Sequence, residues 1–221
     1  MPWIGLADTR MHNDPQVRMR HAGIRHIIAG LEAALVWYVL TLSTYGLLLW
    51  FARSYEAPSY LYHSLLLLFP ILLLLTGAWD RQHLGFVKGR RTWGLISAVL
   101  VVALAVLIFR LRGGQIAPPA LTLGLFNIIL LAPLSEELFF RGILQPGLQS
   151  RTGRYAGLLL TAVLFTMAHL PKVLCTSLAT IGNFPLFFSI GLVFGVIREE
   201  SRSIWYCLLC HVLYNLATAC F

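Results

Sequence analysis

The sequence predicts an all-α polytopic membrane protein of about seven transmembrane helices with a cytoplasmic N-terminus. Three observations carry that expectation. Of the 221 residues, 58% are hydrophobic and only 12% charged, about half the charge of a soluble domain and too little to cover a water-exposed surface. Apolar runs recur at 30–52, 60–78, 92–109, 120–148, 155–171, 175–197 and 203–220, and about 20 apolar residues suffice to cross the hydrocarbon layer. With the N-terminus inside, 13 of the 17 Lys and Arg residues fall in cytoplasmic segments and 4 outside, as the positive-inside rule requires. A soluble globular domain, a disordered chain and a fibrous repeat are excluded. The net charge of +8 sits between apolar runs, where it sets orientation and attracts anionic headgroups. The expected partner is the lipid bilayer, with no role for nucleic acid.

Residues 1–26 form a basic cytoplasmic segment carrying Arg10, Arg18, Arg20 and Arg25. It is too long and polar for the n-region of a signal peptide, and no small-residue cleavage site follows the first apolar run, so that span is read as retained. Residues 27–119 hold three spans in which no motif is assigned, and they read as scaffold. Arg53-Ser54-Tyr55-Glu56, Asp80-Arg81-Gln82-His83 and Arg110-Leu111-Arg112-Gly113-Gly114 punctuate them. Residues 120–221 hold four further spans. Cys175, Cys207, Cys210 and Cys220 lie in or at the end of apolar runs and read as small buried hydrophobes, not as a disulfide framework.

Within the last four spans several polar groups are out of place: Glu136, Glu137, Arg141, His169, His211 and Asn215. An ionisable group at the bilayer centre costs roughly 2.5–3.5 kcal/mol on insertion scales, so function is the default reading. Glu137 and Arg141, at i and i+4, are placed to form a local structural ion pair. Glu136 lies about 100° further round the helix and is left over, three residues after Pro133, which loosens the local helix bonding.

The midpoint between Glu136 and His169 falls in the polar turn Ser150–Arg154. An antiparallel helix pair joined there sets both groups at one level, about 24 Å from the turn. His211 and Asn215 share one face of the last span and, counted from Arg202, lie about 14–20 Å deep. One carboxylate, two histidines and a carboxamide therefore converge in one layer.

This pattern resembles the CPBP family (CAAX protease and bacteriocin-processing). Its EExxxR motif stands as Glu136-Glu137-Leu138-Phe139-Phe140-Arg141, its FxxxH as Phe165-Thr166-Met167-Ala168-His169, and its HxxxN as His211-Val212-Leu213-Tyr214-Asn215. A glycine-spaced helix runs from Phe187 through Gly191 to Gly195, and the likeness covers about 120–217. The resemblance implies an intramembrane endopeptidase in which Glu136 and His169 hold and activate the attacking water. His211 and Asn215 would stabilise the oxyanion, with Glu137, Arg141 and Phe165 behind them. Gly191 and Gly195, a G-x-x-x-G, read as helix packing.

The implied substrate is a membrane-anchored, lipidated or leader/sorting-segment polypeptide, cut near the cytoplasmic side of the cell (inner) membrane. No cofactor is expected. Glu136, His169 and His211 are also a legitimate zinc set, but the chain has no H-E-x-x-H. The C-x-x-C-H at Cys207–His211 is set aside as a haem site because it lies inside an apolar helix. The rival readings are a non-proteolytic immunity or peptide-binding protein of the same fold, and an ion-coupled transporter, which lacks the expected paired repeats.

Overall fold

The computed structural model describes residues 15–52, 56–111, 119, 121–171, 173 and 183–220. Arg10, Arg53, Arg112, Lys172 and Cys175, on which the expectations above drew, lie outside the described residues. Seven helices can be followed: α1 (Pro15–Ala52), α2 (Glu56–Leu75), α3 (Arg91–Leu111), α4 (Leu123–Thr152), α5 (Arg154–Ala168), α6 (Phe184–Ser201) and α7 (Ile204–Ala219). The protein is an all-α polytopic membrane protein.

Gly30–Phe51, α2, α3 and α4 are long and apolar enough to cross a bilayer. α5 and α7 are shorter apolar helices, and the last turn of α6 carries Arg198, Glu199 and Glu200. α1 begins at Pro15, upstream of the first apolar run.

α4 is the axis of the bundle. Phe139, Phe140, Ile143 and Leu144 on it pack into one core with Leu31, Tyr38 and Tyr45 of α1 and Tyr62, Leu66 and Phe69 of α2. A second core joins Ala98 and Val101 of α3 to Phe194 and Ile197 of α6 and Cys207 and Cys210 of α7. Cys207 and Cys210 are free and buried, and Cys220 is a half-buried free thiol, as expected of small apolar fillers. The outward faces carry Val36, Val39, Leu40, Val99 and Leu100. Since lipid is as apolar as these side chains, cohesion comes from close packing and interhelical hydrogen bonds.

α6 lies parallel to α4 in a fixed register. Arg141 Nη2 donates to the Gly191 carbonyl (3.1 Å), Gln145 Nε2 to the Gly195 carbonyl (3.0 Å), and Gln149 Nε2 to the Glu199 carboxylate. Gly191 and Gly195 do pack helices: a Cβ on Gly191 would sit 3.2 Å from Ala162 Cα, and one on Gly195 would overlap the Leu158 side chain. α5 must therefore return between α4 and α6. It does so at Gly153, whose φ of +87° is the left-handed conformation a side chain would resist.

The connection between α2 and α3 folds inward. Trp79 and Leu84 are buried, the Gly85 carbonyl accepts from Ile204 N (2.9 Å), and Ser203 Oγ donates to the Val87 carbonyl (2.6 Å). The His83 N–H on Asp80 (2.8 Å) holds that exposed carboxyl below its ordinary range and shapes the turn. Because this segment occupies the end of the bundle, α7 starts deep. Ile204 lies against Gly142, about 15 Å along α4 from Thr152.

Candidate active site

The helix that carries the two glutamates is not a regular α-helix. α4 contains two π segments, Asn127–Leu131 and Glu137–Leu144, and each ends just before a proline. Ala132 N–H reaches back to the Asn127 carbonyl and Gln145 N–H to the Phe140 carbonyl, both i→i−5. Pro133 and Pro146 lack an N–H and clash with the carbonyl four residues earlier, so the turn before each widens. The expectation for Pro133 is met, and Pro146 extends the same effect to the segment holding Glu137 and Arg141.

A cavity of about 330 Å³ lies against this irregular stretch, and its wall includes Glu136, Phe165, His169, His211 and Asn215. Glu137 and Arg141 stand directly behind it, both buried. His211 reaches the level of Glu136 because α7 starts about 15 Å in and seven residues add about 10 Å. Arg202 is thus no marker of the membrane surface, and the depth of 14–20 Å expected for His211 and Asn215 was short for that reason.

Glu137 Oε1 accepts from Arg141 Nη1 (3.2 Å) and from His211 Nδ1 (2.8 Å). The local pair expected from i,i+4 spacing is present, and the same carboxylate also orients a histidine of α7. With Nδ1–H committed to Glu137, the His211 Nε2 edge faces Glu136, 3.8 Å from its Oε2. Arg141 is fully buried. Its guanidinium donates to the Gly191 carbonyl and lies 4.4 Å over the ring of Phe165, which gives the phenylalanine of the FxxxH motif a physical task.

His169 follows the last residue of α5, and its Nδ1 lies 2.9 Å from the Phe165 carbonyl, one of the orphan acceptors of that helix end. The ring stacks on Phe187 (centroids 4.3 Å apart). Donation from Nδ1 leaves Nε2 as an acceptor. Asn215 Nδ2 donates to the Ile128 carbonyl (2.7 Å), whose partner in the widened turn would be Pro133. That bond fixes the amide plane, and a second N–H remains on Nδ2.

Sequence reasoning missed His63. It comes from α2, in the stretch read as scaffold, and is buried with Nδ1 3.1 Å from Ser135 Oγ and 3.8 Å from Glu136 Oε1. Ser135 Oγ spends its proton on the Ala132 carbonyl (3.0 Å), so His63 Nδ1 is the donor. The signal was present, since His63 is an ionisable group inside an apolar run. His63→Leu should lower kcat about 10-fold or more, the scale of one hydrogen bond at a charged group. His63→Asn, which keeps a donor near the Nδ1 position, should recover part of the loss. Equal activity in the two variants in a peptide-cleavage assay would leave His63 a packing residue.

Among the described residues, no group of three or more His, Cys, Asp or Glu side chains is assembled to hold a metal ion. No chemistry is routed through a metal below.

Buried carboxylates and histidines thus line or back a cavity inside a membrane helix bundle. Residues 119–217 match the family model of the type II CAAX prenyl endopeptidases, Rce1-like, and this part of the chain is similar to that family. α4 to α6 and all but the last two residues of α7, and with them every candidate residue except His63, lie in that match. No curated protein and no solved structure matches the chain.

Proposed function

We propose that the protein is an intramembrane endopeptidase that hydrolyses a peptide bond with a water activated by Glu136. The observation that carries this reading is the convergence of Glu136, His169, His211 and Asn215 on one cavity wall. The water would donate one hydrogen to Glu136 and the other to His169 Nε2. Its oxygen attacks the scissile carbonyl carbon while Glu136 takes the proton, a step worth roughly 10²–10⁴-fold from a positioned base. The developing oxyanion is met by the second Asn215 N–H, and one such donor is typically worth about 2.7–4 kcal/mol. His211, held by Glu137, joins it when Nε2 carries a proton. When the C–N bond breaks, the proton on Glu136 passes to the leaving amine, so the carboxylate is regenerated.

The substrate class is a membrane-associated polypeptide: anchored, lipidated, or a leader or sorting segment. The site of action is the cell (inner) membrane. The reading needs no metal, and the engagement of Glu137 with both Arg141 and His211 supports it by leaving Glu136 as the cavity's base. Protein reconstituted in liposomes, stripped with a strong chelator and assayed on an anchored reporter peptide, should keep at least half its activity. Loss of activity that returns with stoichiometric zinc would overturn the metal-free chemistry.

A further inference from the structure

The cavity lies towards one end of the bundle, and the basic residues lie at the other. The first end is made by the starts of α2, α4 and α6 and the end of α7. The second holds the α2–α3 connection, the α4–α5 turn at Gly153 and the α6–α7 turn at Arg202. Cavity residues come early in descending helices: Ser59 three residues into α2, Asn127 four into α4, Phe187 three into α6. Thr218 and Ala219 are the last residues of α7. No residue of the α2–α3 connection or of the Gly153 and Arg202 turns lines it.

Glu136 itself is about 20 Å from Leu123 and about 24 Å from Thr152. Arg81, Lys88, Arg90, Arg91, Arg151, Arg154 and Arg202 all belong to the second end, and among the described residues the first end carries Arg110 alone. The positive-inside rule puts the basic end in the cytoplasm. In that orientation the cavity faces the opposite side, away from the cytoplasmic surface at which cleavage was expected.

A polar group near that entrance is poised for a polypeptide. Asn127 is 4% exposed, its Nδ2 donates to Ser59 Oγ (2.9 Å), and its buried Oδ1 has no hydrogen-bond partner among the described residues. A buried acceptor without a partner costs about 1–3 kcal/mol, and a peptide N–H would satisfy it.

We propose that the site takes its substrate from the non-cytoplasmic side of the membrane: a translocated polypeptide held by its own membrane anchor and cut next to that anchor. This rests on the endopeptidase reading and specifies which class of substrate reaches Glu136. A lipidated cytoplasmic tail is excluded by it.

Two measurements test the proposal in the full chain with Cys175 and Cys220 replaced by serine. Leu121, 96% exposed, lies at the cavity end, and Gln82, also exposed, at the basic end. A membrane-impermeant maleimide should label Leu121→Cys in spheroplasts and Gln82→Cys only in inside-out vesicles. The second measurement uses single-span reporters with a randomised juxtamembrane segment on either side of the membrane. Cleavage should favour the non-cytoplasmic segment at least 10-fold. Labelling of Leu121→Cys only in inside-out vesicles, or preferential cleavage of cytoplasmic segments, overturns the proposal while leaving the endopeptidase intact. If Leu121→Cys labels from outside and neither reporter is cut, the endopeptidase reading falls and the inference from it falls with it.

Discussion

Glu136→Gln should reduce peptide hydrolysis by about 10³-fold, within the range a positioned general base supplies, while the protein inserts and purifies normally. Glutamine keeps the shape of the side chain and can still hold a water, but its amide oxygen cannot carry the proton away. Stability in detergent should stay within about 1 kcal/mol of the parent, because removing a buried charge relieves desolvation as it weakens attraction to His63 and His211. Single-turnover cleavage of an anchored reporter, read beside a thermal unfolding curve, makes the comparison. Full hydrolysis by well-folded Glu136→Gln protein would sink the proposed chemistry.

Glu137→Gln should behave differently, losing both stability and activity. Among the described residues its carboxylate is the acidic partner of the buried Arg141 guanidinium, and removing one member of a buried pair costs about 3–5 kcal/mol. The same oxygen sets His211 through its Nδ1. A glutamine presenting its NH₂ there would favour the other tautomer, an error that costs other histidine-based hydrolases about 10⁴-fold. Replacing Glu137 and Arg141 together by methionine separates the two effects. Stability should return to within about 2 kcal/mol of the parent, since well-packed apolar pairs replace buried ion pairs at little cost, whereas hydrolysis should stay at least about 10²-fold down. Activity that recovered with stability would make Glu137 a structural residue only.

Much of the site was legible before any fold was known, because a membrane makes polar residues conspicuous. Glu136, His169, His211 and Asn215 stand out against apolar neighbours, and their spacing along antiparallel helices already sets them near one level. The pairing of Glu137 with Arg141 also follows from local spacing alone. What local spacing could not disclose was the second partner of Glu137. That partner, His211, is 74 residues away, and the contact depends on where α7 begins.

The composition, the apolar runs and the placement of basic residues by themselves determined the helical membrane fold and the four groups that meet at the cavity, because each rests on period or polarity along the chain. The tertiary structure alone decided three further things. The inward fold of residues 79–90 set the depth of α7, through backbone hydrogen bonds from Ile204 N–H to the Gly85 carbonyl and from Arg90 N–H to the Ser201 carbonyl, which carry no side-chain signature. The packing of α2 on α4 brought His63 beside Glu136, turning a stretch read as scaffold into part of the site. The turn widened before Pro133 left the Ile128 carbonyl for Asn215. Each of these depends on which helix lies against which, and neighbours distant in sequence meet only once the chain has packed.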